Sequence, residues 1–302
     1  MLRHSCTLVG ALIVMSFPAS ALAEDAAFVG WSGLLPPLTS GYEPSSEDDC
    51  TAGKIQCVDK VIRVMDRHLD SLGCDHNSIF ALSYLRTTEE YRRATTTPGF
   101  FADPGFVNHE DAVFARFYFD AYDDWAGNRR STVPGAWLVA FDAARDRQVK
   151  GSTNLSLGIN AHVNRDLPYV LAGIGLVKPD GSSRKPDHDK VNEFLNRVTD
   201  GLFLEADRRY DPTFDADDIP GTTADTTAIF QLIASWREGA WRNAERLVAA
   251  PTDEARAQVS AEIEAYATMT AQNLRDGGRY SALSNFTAAQ RDAYCAAHVG
   301  DA

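Results

Sequence analysis

From Lys54 onward, apolar residues recur at three-and-four spacing, and no stretch alternates for long enough to make a strand. The first run shows the pattern plainly: Ile55, Val58, Val61, Ile62, Met65, Leu69 and Leu72, with Gly73 as the stop. A stripe of this kind buries one side of a helix, so a chain built from such runs must pack helix on helix. The same spacing predicts a second helix opening near Asp75 with Ile79, Phe80 and Leu82 inward. An aromatic-rich helix follows over 107–126, and another begins at Pro134 with Trp137, Leu138 and Phe141 on one face. Residues 153–172 carry few charges, which predicts a central helix. Helices over 187–209, near 223–249 and over 253–275 complete the set, the last two separated by Pro251. The expectation is an all-α fold: one globular domain of about eight helices over residues 54–302. Before it lies an extended segment, 24–53, where Pro36, Pro37 and Pro44 discourage helix.

Residues 1–23 have the form of an export signal. Arg3 and His4 precede an apolar run from Leu8 to Phe17, and Ala21-Leu22-Ala23 supplies the small-x-small pattern that signal peptidase needs. The run is shorter than the ~20 residues that span a bilayer, and no later stretch is long and apolar enough to do so. The expectation is a secreted or extracytoplasmic protein, cut near Ala23, with no stable membrane insertion. Cys6 leaves with the signal. Cys50, Cys57, Cys74 and Cys295 remain, an even number that favours two disulfides in an oxidising compartment. Three pairings are open, of which Cys50–Cys57 and Cys74–Cys295 is favoured. A metal site using Cys74 and His76 is the rival, although its spacing fits no common zinc motif. The net charge of −13 argues against nonspecific binding to nucleic acid or to anionic membranes, both of which need Lys and Arg to displace counterions.

The most informative segment is Gly158-Ile159-Asn160-Ala161-His162-Val163-Asn164-Arg165-Asp166-Leu167-Pro168. His162 and Asp166 are four apart and share a helix face with Leu155, Ile159 and Val170, whereas Arg165 lies off that face. A carboxylate among apolar neighbours costs several kcal/mol unless it is paired or bound to a cation. Two compensations fit. Asp166 can accept hydrogen bonds from His162 or an Arg and organise the core. Alternatively, both residues can hold a divalent metal, zinc above all, together with His188, and with His76 or His109 from other helix starts completing the shell. His188 shares its face with Asn192. His68 and His298 read as surface residues. Asp123-Asp124, Asp215 with Asp217-Asp218, and Glu47-Asp48-Asp49 read as solvated charges, and Asp225 reads as a helix N-terminal charge. Trp236, Arg237 and Trp241, with Tyr118, Tyr122 and Trp125, are candidates for the wall of a ligand cleft, against the reading that they simply pack the core.

Several segments are recognisable together: Cys57-Val58-Asp59 to Arg67, Cys74-Asp75-His76, Tyr84-Leu85-Arg86-Thr87-Thr88, His109-Glu110-Asp111, and Asn160-Ala161-His162-Val163-Asn164-Arg165-Asp166-Leu167-Pro168. They resemble a bacterial family of secreted domains with no established activity, which implies an all-helical fold. The His-x-x-x-Asp spacing of His162 and Asp166 is also similar to the zinc-dependent phospholipase C and single-strand zinc nuclease superfamily. That resemblance implies a metal cluster held by His and Asp from several helices. His188 and Asn192 depart from it, since the carboxylate of the second pair is replaced, and a cut after Ala23 leaves Glu24, not Trp31, at the mature N-terminus. Two functions follow as expectations. One is a metal-dependent hydrolase of a phosphoester, whose metal would lower the pKa of a bound water. The other is a noncatalytic extracellular binding protein for a small apolar or aromatic ligand. Oligomeric state is not readable from the sequence.

Overall fold

The first apolar stripe becomes helix α1 (Ile55–Leu72). It buries Cys57, Val58, Val61, Met65 and Leu69, and ends at Gly73, whose N–H returns to the Leu69 carbonyl. The computed structural model describes Cys50 and residues 52–214, 224–280 and 286–301, with side chains in the 224–249 helix from residue 228 onward. The export signal, Trp31, the acidic run 47–49, almost all of the 24–53 segment, Asp215, Asp217, Asp218 and the Asp225 side chain lie outside the described residues.

After α1 come α2 (Ser78–Ala94), α3 (Pro104–Ala126), α4 (Gly135–Arg145) and α5 (Gly151–Ile159). A seven-residue π-helical segment, Asn160–Asp166, joins α5 to α6 (Leu167–Ile174), so residues 151–174 form one continuous helix. Then follow α7 (Lys185–Arg209), α8 (Ala224–Ala249), α9 (Asp253–Gly277) and α10 (Ala288–His298). Among the described residues there is no strand. Val149–Arg279 and Val177–Ser183 form only isolated bridges. No helix among them is long and apolar enough to cross a membrane.

The expected helices are present within a few residues of their boundaries, and one more is added. The C-terminal helix α10 opens with a capping box. The Thr287 hydroxyl accepts from the Gln290 N–H, and the Gln290 side chain accepts from the Thr287 N–H. Thr287-Ala288-Ala289-Gln290 is the sequence signature of that arrangement, so the signal for this helix was present.

The continuous helix 151–174 is central, as its low charge predicts. The π segment packs against α3, α4, α8 and α9. Leu155, Leu157 and Ala161 belong to an apolar cluster formed with α1, α2, α3 and α4. Val163, Leu167, Leu171 and Ala172 belong to a second cluster, formed with Phe194 of α7 and Trp241 of α8. Gly158 permits the close crossing of α5 over α2, since a Cβ there would sit 2.2 Å from the Phe80 ring.

Both favoured disulfides are formed. Cys50–Cys57 has a Cα separation of 5.3 Å, and Cys74–Cys295 has one of 5.8 Å across 221 residues of sequence. Disulfides of this kind persist in oxidising compartments and are compatible with export. The second bond fixes α10 to the turn after α1, where a buried polar network adds to it. Arg291 Nη1 donates to Asn154 Oδ1 at 2.7 Å and to His76 Nδ1 at 3.1 Å. That leaves His76 Nε2–H to donate to Asp292 Oδ1 at 2.9 Å. Burial, then the Arg291 charge, brings the His76 pKa down to about 4.

Candidate functional site

Pro168 shapes the centre of the molecule. It has no N–H to give and its ring crowds the preceding turn, so the helix widens just before it instead of breaking. The Leu167 N–H reaches five residues back to the His162 carbonyl. The widened turn is tied to α9 and braced within itself: Asn160 Nδ2 donates to the Ala267 carbonyl of α9 at 2.9 Å, and Asn164 Nδ2 donates to Asn160 Oδ1 at 3.0 Å.

Within this turn Asp166 is fully buried and accepts three hydrogen bonds. Trp137 Nε1 and His162 Nδ1 reach its Oδ2 at 2.9 and 3.0 Å, and Arg165 Nη1 reaches its Oδ1 at 2.9 Å. Arg165 starts off this face, as its position predicts, but its guanidinium folds back and divides itself between Asp166 and Glu264 Oε1 of α9, 2.8 Å away. The carboxylate is therefore neutralised by protein groups: an arginine, an indole and an imidazole.

This geometry fixes the His162 tautomer. The carboxylate only accepts, so Nδ1 carries the proton and Nε2 presents a lone pair. His162 is 3 % exposed and Nε2 has no hydrogen-bond partner. Phe114 of α3 stacks on the ring at a centroid distance of 3.4 Å, and Tyr84 of α2 meets it edge-on at 4.6 Å. Burial pushes the imidazole pKa below its ordinary value against the pull of Asp166, which keeps the ring neutral near pH 7.

His162 also lines a cavity of about 140 Å³, partly open to solvent, between α2, α3, the central helix, α7 and α8. Its lining is mostly apolar, with Phe80, Phe114, Val163, Val191, Phe194 and Phe230 among the contributors. Four side chains in that wall hold buried polar atoms with no partner: His162 Nε2, Glu110 Oε2, Asp111 Oδ2 and Arg237 Nε. An unmet buried polar atom costs about 1–3 kcal/mol, so four around one space are a marked exception to the rule that interiors satisfy themselves.

Asp111 feels the apolar surroundings strongly. Burial, with a smaller contribution from neighbouring Glu110, raises its carboxyl pKa from 3.8 to about 8. Between those two values the folded protein holds a proton that the unfolded chain releases, so this group makes the fold lose stability as pH rises from about 4 to about 8. Asn at this position does not titrate. Urea denaturation across that range is therefore expected to find Asp111→Asn gaining steadily on the wild type as pH rises. A stability difference that does not change with pH would contradict the assignment.

The residues singled out in the sequence separate into several groups. His162 and Asp166 meet as expected. His188 is buried at the start of α7, where its Nε2–H donates to the Arg237 carbonyl at 3.3 Å and its Nδ1 accepts from Arg237 Nη2 at 3.2 Å. Burial, then the Arg237 charge, lowers its pKa. His109 is shifted down by burial and by Arg184, and His76 serves the α10 network. Among the described residues, no group of three or more His, Cys, Asp or Glu side chains is placed to hold a metal ion. His68 is not a surface residue: it is half-buried, its Nε2 lies 2.8 Å from the Tyr118 hydroxyl, and burial lowers its pKa to about 4. His298 is exposed and pairs with Asp301.

Of the aromatic-cleft candidates, only Arg237 borders the cavity. Tyr118 is buried against Phe80 and Trp137, and Tyr122 packs on His68, Trp125 and Phe141. Trp241 is fully buried and donates to Glu245, while Trp236 faces a separate surface groove with Tyr266. Sequence reasoning gave no role to Glu110, Asp111, Phe114 or Tyr84 in a site. Yet Tyr84, Thr87 and Thr88, then Glu110 and Asp111, then His162 and Val163 come from three of the segments that carried the family resemblance, and all of them line this one cavity.

No curated protein and no solved structure matches the chain. A family model described as a family of unknown function (DUF5995) matches residues 58–277, which runs from α1 to the end of α9 and includes every residue that lines the cavity. The chain belongs to the DUF5995 family.

Proposed function

We propose that the protein binds a small, largely apolar molecule in the cavity beside His162. The observation that supports this reading is the pairing of a mostly apolar lining with four unmet polar atoms in the same wall. A cavity kept only as a packing fault is expected to be apolar throughout, because nothing then balances the cost of burying polar groups. Here the polar atoms occupy one space, as they do in ligand sites, where a few placed polar groups orient an otherwise apolar guest. The size suits a single ring, since a dry apolar cavity of roughly 150 Å³ accepts benzene.

A divalent metal on His162, Asp166 and His188 has weaker support. Both oxygens of Asp166 are engaged by protein donors, and both ring nitrogens of His188 are engaged by Arg237. A metal would have to displace several of these bonds.

Binding to the folded state alone raises stability as RT ln(1 + [L]/Kd), so a guest that fits must raise the melting temperature in proportion to its concentration. Toluene is the simplest probe. It is expected to raise the melting temperature of the wild type and to have no effect on Val191→Phe, whose added ring fills the cavity. No response of the wild type, or an equal response of the variant, would remove this reading.

A further inference from the structure

The unmet atoms also say what the guest must bring. His162 Nε2 is a lone pair by the tautomer that Asp166 imposes, and Glu110 contributes a second unmet acceptor at Oε2. An opposite charge to Glu110 is already in place: Arg237 lies in the same wall and feels the Glu110 charge. Glu110 Oε1 is 3.6 Å from His188 Nδ1, too far for a hydrogen bond. The wall thus shows two unmet acceptors, His162 Nε2 and Glu110 Oε2, beside one unmet donor, Arg237 Nε, with the charges of Glu110 and Arg237 balanced within it. A carboxylate guest would set a second negative charge beside Glu110, whose charge Arg237 already balances. An ammonium guest would have to shed its water with no unbalanced charge to receive it. What remains is an uncharged molecule with an apolar body and an O–H to give.

We infer that the cavity selects a neutral hydroxylated ring of phenol size, whose hydroxyl donates to His162 Nε2 while its ring lies among Phe114, Val163 and the apolar side chains of α7. This rests on the binding reading above and adds to it the chemical class of the guest. Trp137, Arg165 and Asp166 act behind the histidine as positioning groups. Together they hold Nδ1 as the donor and so keep Nε2 an acceptor. Burial, which keeps the ring neutral, has the same effect.

The test compares phenol, toluene, benzoate and benzylamine by titration calorimetry on the full oxidised protein, together with ¹⁵N resonances of histidine-labelled wild type. Satisfying one buried acceptor is expected to make phenol about tenfold tighter than toluene, with benzoate and benzylamine both weaker than toluene. The His162 Nε2 resonance is expected at the position of an unprotonated ring nitrogen and to move when phenol is added. In His162→Phe the preference for phenol over toluene is expected to vanish while toluene still binds. If toluene binds and phenol binds no better, or if the Nε2 resonance stays still at saturating phenol, the inference is overturned and the cavity reading survives. If neither ring binds, both fall. The resonance measurement is made on the wild type, so it decides the matter even if His162→Phe does not fold.

Discussion

Asp166→Ala is expected to lose about 3–5 kcal/mol of stability, the usual cost of removing one member of a buried ion pair. Three donors depend on this carboxylate, and they approach from two elements: Trp137 from α4, and His162 and Arg165 from the π segment. Removing it strands an indole N–H and an imidazole N–H in a fully buried place. It also leaves the Arg165 guanidinium with Glu264 alone. Asp166→Asn is the sharper control. Its shape is nearly unchanged, but its NH₂ must face either Arg165 or the Trp137 and His162 pair, and all of these are donors. A loss of at least half that of the alanine variant is therefore expected. Urea denaturation measures both, and the midpoint should fall with little change in slope, because the surface exposed on unfolding is the same. A loss below about 1 kcal/mol for the alanine variant would mean that the network contributes little and that the π turn is held by Asn160 and Asn164 instead.

The helices were legible because each signal was local. The stripe in α1, the Pro before α4 and the low charge of residues 153–172 each determine a backbone state within a few residues. His162 and Asp166 were legible for the same reason, since four residues make one turn. The π turn was not read, although Pro168 marks it: a proline inside an apolar helical run demands either a break or a widened register. Arg165 was set aside because helical spacing puts its Cα on another face, but a long flexible side chain can return to a neighbour, as its 2.9 Å contact with Asp166 shows. The cavity had no local signal at all. It is the space left where α2, α3, the central helix, α7 and α8 fail to close on one another, and only their relative placement decides that Glu110 and Arg237 share a wall. The same limit applies to the aromatic cleft. Tyr118 and Trp241 carry the residue types of a ligand wall, and burial alone separates a ring that packs from a ring that waits for a guest. Even so, Tyr84, Glu110 and His162 all belong to the segments that carry the family resemblance, separated by dozens of positions, and that co-occurrence is the nearest thing in the sequence to a view of the site.

Of the two disulfides, the one joining Cys74 to Cys295 is expected to matter far more. The chain-entropy relation gives roughly 5 kcal/mol for a loop of this length and roughly 2 kcal/mol for the short loop closed by Cys50–Cys57. The structure gives a second reason for the asymmetry. Cys74–Cys295 holds α10 against the end of α1, where Arg291, 2 % exposed, reaches Asn154 and His76, and where Tyr294 reaches the Arg208 carbonyl at the end of α7. Without the bond, the same contacts must be made by a free chain end, and an 11-residue helix is too short to persist alone in water. Release of α10 would leave the Arg291 partners Asn154 and His76 without their donor. The loss in Cys74→Ser/Cys295→Ser is thus expected to reach about 4–5 kcal/mol, and amide exchange in α10 should rise before exchange in α5 and α6. Cys50→Ser/Cys57→Ser should cost about half as much and leave α10 protected. Reducing the wild type, which opens both bonds, should cost more than either double variant. If the short-loop variant proves the less stable of the two, or if α10 stays protected after Cys74 and Cys295 are removed, then side-chain docking holds the C-terminal helix and the covalent bond is secondary to it.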